Sequence, residues 1–466
     1  EMIRLNLSEI ARIVEGELVG QDAEVFGGVE TDSRLVSSGS LFFAKPGEIT
    51  DGHNFLESAK ALGAVGAVVE QIQTEVVLPQ IVVTDVVLAL GKLAAAVLAK
   101  VREAGTIKVI GITGSNGKTS TKNMLGAILS KFGKTVAPIE SYNNEVGAPI
   151  SILKIDETTQ FLVVELGAGG IGSIAYLANI AKPDIGIVLK VGLAHAGAFG
   201  GIEVTSQIKS ELVKALDSSS TFIYNADDGE VTRMTGLTTA KSVSFGTNSS
   251  AAYRFDNVDL SISGTSADLH LPNGETSRVN LQILGEHQLM NATAALAVTD
   301  QLGLSLTTAL SALAALPLAE RWRMQLTNRK DGVSVINDAY NASPDSMKAA
   351  LQTLAHLGKV GRRTIAVLGE MAELGEYARD AHDQIGRLVV RYNIDQLVVV
   401  GTAAKLIHMG AMQEGSWDGE SIFFESSSDA LDYIREMLEP GDIVLVKSSK
   451  SANLRHLGDD LLEVLK

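Results

Sequence analysis

Short apolar runs rich in β-branched residues alternate with longer stretches of helical periodicity along almost the whole chain. No other feature constrains the fold as strongly. Runs such as Phe161 to Leu166 and Asp184 to Leu189 read as buried strands, too short for helices. Strands that alternate with helices predict parallel sheets covered by those helices, and so an α/β protein.

A chain of 466 residues exceeds what one hydrophobic core organises, so two to four domains are expected. Three blocks stand out. Residues 1–84 form a small α/β module with a helix near Leu7 to Val14 and strands at Ala67 to Val69 and Ile81 to Thr84. A helical stretch from Asp85 to about Glu103 leads into residues 85–318. There Lys108 to Ile112 reads as a strand, Thr119 to Phe132 and Val204 to Leu216 as helices, and His287 to Leu302 as a helix again. Between Ala251 and Leu284 this block turns β-rich, with an Asn273-Gly274 hairpin signal. It is expected to be a central parallel sheet of the phosphate-loop ATPase kind with a β-rich addition. Residues 319–466 carry strand candidates at Ser334 to Asn337, Thr364 to Leu368, Gln396 to Val400 and Ile443 to Lys447. The helices between them predict a Rossmann-like, doubly wound domain.

A net charge of −16 argues against general binding to nucleic acid or to anionic membranes. With no cysteine, disulfides, thiolate metal sites and cysteine nucleophiles are impossible. No apolar run approaches the roughly 20 residues that span a bilayer, and the first residues lack a basic segment followed by an apolar run. The expectation is a soluble, cytoplasmic protein without a transmembrane segment, and a monomer.

Gly111-Ile112-Thr113-Gly114-Ser115-Asn116-Gly117-Lys118-Thr119-Ser120 follows a predicted strand and opens a predicted helix. In that setting Gly114 and Gly117 let the backbone turn tightly and aim N–H groups inward, and the helix N-terminus adds a positive dipole end. Lys118 supplies a point charge for terminal phosphates, and Thr119 a hydroxyl for Mg2+. Ile112 stands where the usual pattern has its first glycine. The loop indicates NTP use; kinase, ATPase and ligase remain open.

The segment from Thr113 to Thr119 resembles the ATP loop of the Mur ligase family, and further segments fall in the family's order over nearly the whole chain. The resemblance implies that Gly114, Ser115, Asn116, Gly117, Lys118, Thr119 and Ser120 hold the nucleotide phosphates. Glu165, in Val163-Val164-Glu165-Leu166-Gly167-Ala168, matches the family's Mg2+ ligand. His195, in Gly192-Leu193-Ala194-His195, matches a histidine for a second metal, and Lys209 a lysine that several members carry as a carbamate. Two Mg2+ ions are therefore expected, with Thr119, Glu165, His195 and Lys209 around them. On their own, Glu165, His195 and Lys209 are the kinds of residue that ordinarily sit in a solvated loop or on a helix surface.

The same resemblance places Asn291, in Gly285-Glu286-His287-Gln288-Leu289-Met290-Asn291, against ATP. It assigns Arg321 to the γ-phosphate, Asp338 to the ribose, and Tyr340 and Asn341 to the adenine side. Lys118, Lys209, His195 and Arg321 are the residues expected to carry catalysis. Ser343 and Pro344 also read as a helix N-cap and first turn. Thr31-Asp32-Ser33-Arg34, with Pro46-Gly47 and Asp51-Gly52-His53, resembles the family's UDP-sugar module, so Ser33 and Arg34 are expected at the substrate. Asn143 and Asn144, in Asn143-Asn144-Glu145-Val146-Gly147, resemble a substrate-contacting stretch.

Asp338-Ala339-Tyr340-Asn341-Ala342 and Gly369-Glu370-Met371-Ala372-Glu373-Leu374-Gly375 are similar to the member that joins D-alanyl-D-alanine to UDP-N-acetylmuramoyl-tripeptide in peptidoglycan precursor synthesis. That activity makes an acyl phosphate from the substrate carboxylate and ATP. Gly169, Gly170 and Lys190 depart from the family pattern. The ligase adding the third amino acid, lysine or diaminopimelate, is the nearest alternative; a small-molecule phosphotransferase and a non-catalytic UDP-sugar binder are others. Because Arg321 and Asp338 lie in a different block from the phosphate loop, the third domain is expected to close onto ATP.

Overall fold

Strand Lys108–Thr113 lies between Phe161–Glu165 and Ile185–Val188 and is parallel to both. It is the pivot of a nine-stranded sheet in a computed structural model that describes residues 2–47, 49–138, 140–317, 321–415 and 420–463. From the pivot the chain runs through helix Lys118–Leu129 to the edge strand Thr135–Val136 and back to Phe161–Glu165. It then crosses to Ile185–Val188 and builds outward through Thr221–Asn225 and Lys241–Gly246. Such a reversal opens a crevice beyond the carboxyl ends of the strands, where ligands of open α/β sheets bind. The glycine-lysine turn begins at that end of the pivot.

The β-rich addition is continuous with this sheet. Tyr253–Ser261 pairs in parallel with Lys241–Gly246 and then starts an antiparallel meander through Gly264–His270 and Thr276–Leu281. Gly274, in the expected turn, has φ +87. Helix Glu286–Gln301 follows; its buried positions include Leu289, Ala292, Ala295, Leu296 and Val298, which pack against the sheet and helix Lys118–Leu129 in one apolar cluster.

The C-terminal sheet has the order Gln325–Asn328, Ser334–Asn337, Ile443–Lys447, Thr364–Leu368, Gln396–Val400, Ser421–Phe424. All pairings are parallel except the first. The central strands are buried along their full length, as helices on both faces require. Helix Pro344–Gly358 starts at a capping box in which Ser343 accepts from the Ser346 N–H, with proline in the first turn.

The N-terminal module holds four parallel strands, Val29–Glu30, Leu41–Phe43, Gly66–Val69 and Gln80–Val82, with Glu17–Val19 added antiparallel at one edge and a separate two-stranded ribbon. Helix Val86–Ala104 is capped by the Asp85 carboxylate. It packs on helix Leu7–Val14 on one side and on Gly147–Ile152 and Ser173–Ala181 on the other, inside one continuous apolar cluster. The division expected between residues 318 and 319 falls outside the described residues.

Candidate functional site

The phosphate loop is built by backbone geometry. Gly117 is the N-cap of helix Lys118–Leu129 at φ +88, and a Cβ there would stand 2.4 Å from Asn291 Oδ1. Asn291 is thereby pressed against the loop. Its Nδ2 donates to Gln288 Oε1 at 3.2 Å, so Gln288 orients it. Ser115 locks the loop to the neighbouring strand end, with Ser115 N donating to Lys190 O (2.8 Å) and Gly192 N to Ser115 Oγ (2.8 Å).

Lys118 folds back so that Nζ donates to Gly114 O at 2.7 Å. Burial pushes its ammonium below the ordinary lysine range; Glu165 opposes this and Arg323 adds to it. A cation with no carboxylate partner among the described residues, at the N-terminus of a helix, is a site for a polyanion.

Beside it, Glu165 at the end of its strand is 1% exposed. Burial alone raises such a carboxyl, but the Lys122 ammonium 2.9 Å away, with Lys118 beyond it, holds Glu165 below the usual carboxylate range. Ser141 Oγ donates to Glu165 Oε2 (3.1 Å) and lies 3.3 Å from Thr119 Oγ1. Thr119 and Glu165 thus offer hard oxygen donors of the kind Mg2+ takes. Among the described residues no group of three or more His, Asp or Glu could hold a metal. Phosphate oxygens therefore fit as the rest of the coordination shell, and the residues present suit a nucleotide-borne ion.

His195 stands at φ +59, in the left-handed region, and its Nδ1 bonds Glu373 Oε2 from the C-terminal lobe. A carboxylate on one ring nitrogen fixes the ring and leaves the other for a ligand. Lys209, in helix Ile202–Lys214, is buried, and its pKa is pushed down to about 7, by burial first and by Lys118 second. At neutral pH a large share of such an amine is uncharged, the form that can add CO2.

A cavity of about 320 Å³ lies between the central and C-terminal lobes; Glu165 and Lys209 are not among the residues that line it. Ser115, Lys118, Thr119, Ser120, His195 and Asn291 line it from the central lobe, and Arg323, Asp338, Tyr340 and Asn341 from the other. Asp338 spends Oδ1 on the Met324 N–H and Oδ2 on Lys447 Nζ (2.7 Å). A second cavity, of about 1030 Å³, opens beyond Gly117, Asn291 and His287. Three contacts already close the lobes: Lys190 Nζ to Asp345 Oδ1 at 3.0 Å, Ser343 Oγ to Asn116 Oδ1 at 3.2 Å, and His195 to Glu373.

Arg321, expected at the γ-phosphate, is 67% exposed, pairs with Asp459, stacks on Trp322 and is not among the residues that line the cavity. The arginine that does is Arg323, lying 4.2 Å over the Tyr340 ring. Trp322 (φ +64) and Met324 (φ +49) both take left-handed backbone, and the turns they make decide which arginine faces inward.

Ser33 and Arg34 lie outside the cavity. Ser33 is buried in a short turn capped by Asp32, and Arg34 pairs with Asp32 at 2.6 Å. This edge faces the 140–144 loop: the Tyr142 phenol is pushed up to about 12 by its bond to Glu140, by burial, and by the charges of Glu140, Glu30 and Asp32. Asn143 lines the cavity, and its Nδ2 donates to Ser141 Oγ at 3.2 Å. Asn144 uses its side chain to cap Val146 and Gly147. His53 is a structural residue: Nε2 accepts from the Glu70 and Gln71 amides, so Nδ1 carries the proton toward Asp51. Lys122, Ser141 and Glu373 had no role from sequence. Only Lys122 gave a signal, one helical turn beyond Lys118.

Family models match three successive segments: Mur ligase family, catalytic domain, over residues 25–98; Mur ligase middle domain over 112–299; and Mur ligase, glutamate ligase domain, over 322–450. The UDP-N-acetylmuramoyl-tripeptide–D-alanyl-D-alanine ligase of Mycobacterium bovis is 42% identical, covering 99% of this chain and 98% of the relative. The chain belongs to the Mur ligase family. The Bacillus subtilis enzyme of the same description is 33% identical over 99% of both chains. Among solved structures, MurF from Acinetobacter baumannii superposes with TM-score 0.89 at 30% identity, covering 99% of this Mur ligase and 100% of that chain. MurF from Thermotoga maritima in complex with ADP gives 0.81 at 26% identity, with 94% and 97% covered. These likenesses cover 94–99% of this Mur ligase, including the N-terminal module. Among its described residues, no helix is long and apolar enough to cross a membrane.

Proposed function

We propose that this chain is an ATP-dependent amide-bond ligase that joins D-alanyl-D-alanine to UDP-N-acetylmuramoyl-tripeptide, releasing ADP and phosphate. The observation that carries the reading is one cleft in which Lys118 and Thr119 meet Arg323 from a second lobe, with Glu165 bonded to the cleft residue Ser141. Full-length identity of 42% to a ligase of that description supports the substrate assignment.

A carboxylate is a poor electrophile because oxide is a bad leaving group. The tripeptide's terminal carboxylate oxygen attacks the γ-phosphorus and the bond to the β-phosphate oxygen breaks. The amine of the dipeptide then attacks the acyl carbon, the C–O bond to phosphate breaks, and the amine sheds a proton as the amide forms. The barrier in the first step is an anion approaching a polyanion. Lys118 and Arg323 neutralise phosphate charge from opposite walls, and the amides at Gly117 to Thr119 orient it. Mg2+ bound at Thr119 and Glu165 would polarise the phosphate oxygens. His195, fixed by Glu373, and Lys209, if carbamoylated, would hold a second ion. Both walls come from one chain, so a cytoplasmic monomer suffices.

Incubation with ATP, UDP-N-acetylmuramoyl-tripeptide and D-alanyl-D-alanine, read by product mass and phosphate release, tests the assignment. A phosphorylated substrate without phosphate release would instead identify a phosphotransferase. Lys209→Ala should be inactive and regain activity with added short carboxylic acids. Full activity without them would leave Lys209 no role at the metal.

A further inference from the structure

Lys122 belongs to no part of the reaction described above, yet it is the most completely buried cation near the site. Its side chain is 2% exposed, against 1% for its partner Glu165. Two charges so buried persist only with close geometry and further hydrogen bonds. Both are present. Lys122 Nζ lies 2.9 Å from Glu165 Oε1 and donates to Glu140 O at 2.7 Å.

The second bond has a consequence for Ser141, the next residue. Ser141 Oγ donates to Glu165 Oε2, approaches Thr119 Oγ1, and accepts from Asn143 Nδ2. One ammonium therefore ties three elements together: the helix of the phosphate loop, the strand end carrying Glu165, and the loop carrying Ser141 and Asn143. It also divides the carboxylate. Oε1 is ion-paired with Lys122 but accepts no hydrogen bond, and Oε2 accepts from Ser141 Oγ, which lies 3.3 Å from Thr119 Oγ1. A carboxylate so held presents one oxygen to a cation beside Thr119 and has half its charge answered already. It is a weak metal site alone and a good one when phosphate oxygens complete the shell.

We infer that Lys122 is a positioning residue that aims Glu165 for metal capture and makes that capture depend on bound nucleotide. The inference rests on the proposed metal role of Thr119 and Glu165.

Mn2+ titration of the full chain followed by electron paramagnetic resonance, with and without saturating ADP, separates the two claims. The wild-type chain should bind Mn2+ tightly only with ADP. Absence of ADP-dependent Mn2+ binding would remove the underlying metal reading itself. In Lys122→Met the Mn2+ dissociation constant with ADP should rise by about 10–100-fold, the usual effect of removing a group that orients a ligand. ADP binding without metal should change far less. An unchanged Mn2+ constant in folded Lys122→Met would overturn the inference. So would an equal loss of metal-free ADP binding, which would mark Lys122 as support for the loop only. Lys122→Met leaves Glu165 buried and unpaired and can unfold the chain. The charge-balanced Lys122→Met/Glu165→Gln variant covers that case. If Lys122 acts through Glu165, the double variant should bind Mn2+ within about twofold of Glu165→Gln alone. Multiplying losses would refute it.

Discussion

Arg323 and Arg321 are two residues apart, yet only Arg323 reaches the cleft. Arg323→Ala should lower kcat by about 10²–10³-fold, the range for losing one preorganised donor to a charged transition state. Arg321→Ala, which removes an exposed ion pair, should leave steady-state kinetics near wild type. The reverse result would restore the sequence-based choice. His287 carries a second prediction. Its ring borders both cavities, and its pKa is pushed down to about 4 by burial, with Asp338 opposing and Lys447 adding. The folded state therefore resists protonation that the unfolded chain accepts near pH 6.5. Stability is complete above that pH and is lost as pH falls toward 4, by on the order of 1–3 kcal/mol. Urea unfolding at stepped pH should show this slope, and His287→Asn should flatten it.

At the scale of elements, helix Lys118–Leu129 depends on a left-handed N-cap. Gly117→Ala combines φ +88 with a Cβ 2.4 Å from Asn291 Oδ1. The conformational penalty of about 1–2 kcal/mol corresponds to about 5–30-fold weaker ADP binding, measurable by calorimetry. The elements were readable where local chemistry decides them. The strands Ser334–Asn337, Thr364–Leu368, Gln396–Val400 and Ile443–Lys447 and the helix Leu7–Val14 are as expected, because buried β-branched runs and a clean amphipathic period leave little choice. The short strands Val29–Glu30 and Leu41–Phe43 of the first module escaped, since they carry too few residues for a period. The phosphate loop was legible because its glycines and lysine act within one turn. Arg323 and the Glu373–His195 pair were not. Each depends on left-handed backbone at Trp322, Met324, Glu373 or His195, which side-chain identity does not announce.

At the scale of the whole molecule, catalysis in the proposed reading needs the C-terminal lobe held over the loop, and the described contacts show what holds it. Gly197, in the short helix after His195, meets the turn at Leu374 and Gly375; a Cβ there would lie 2.3 Å from Gly375 N. Because Gly197 is exposed on its own lobe, a side chain there disturbs no core. It can act only by pushing the lobes apart, which would also break the His195–Glu373 contact. Gly197→Val should therefore keep the wild-type melting transition and ADP affinity at the phosphate loop while losing most phosphate release. Small-angle scattering of the wild-type chain with ATP analogue and substrate should give the closed dimensions. The variant should stay more extended under the same conditions. A variant as compact and as active as wild type would mean that this contact forms without governing closure, and that other contacts between the lobes, Lys190–Asp345 and Ser343–Asn116 among them, suffice.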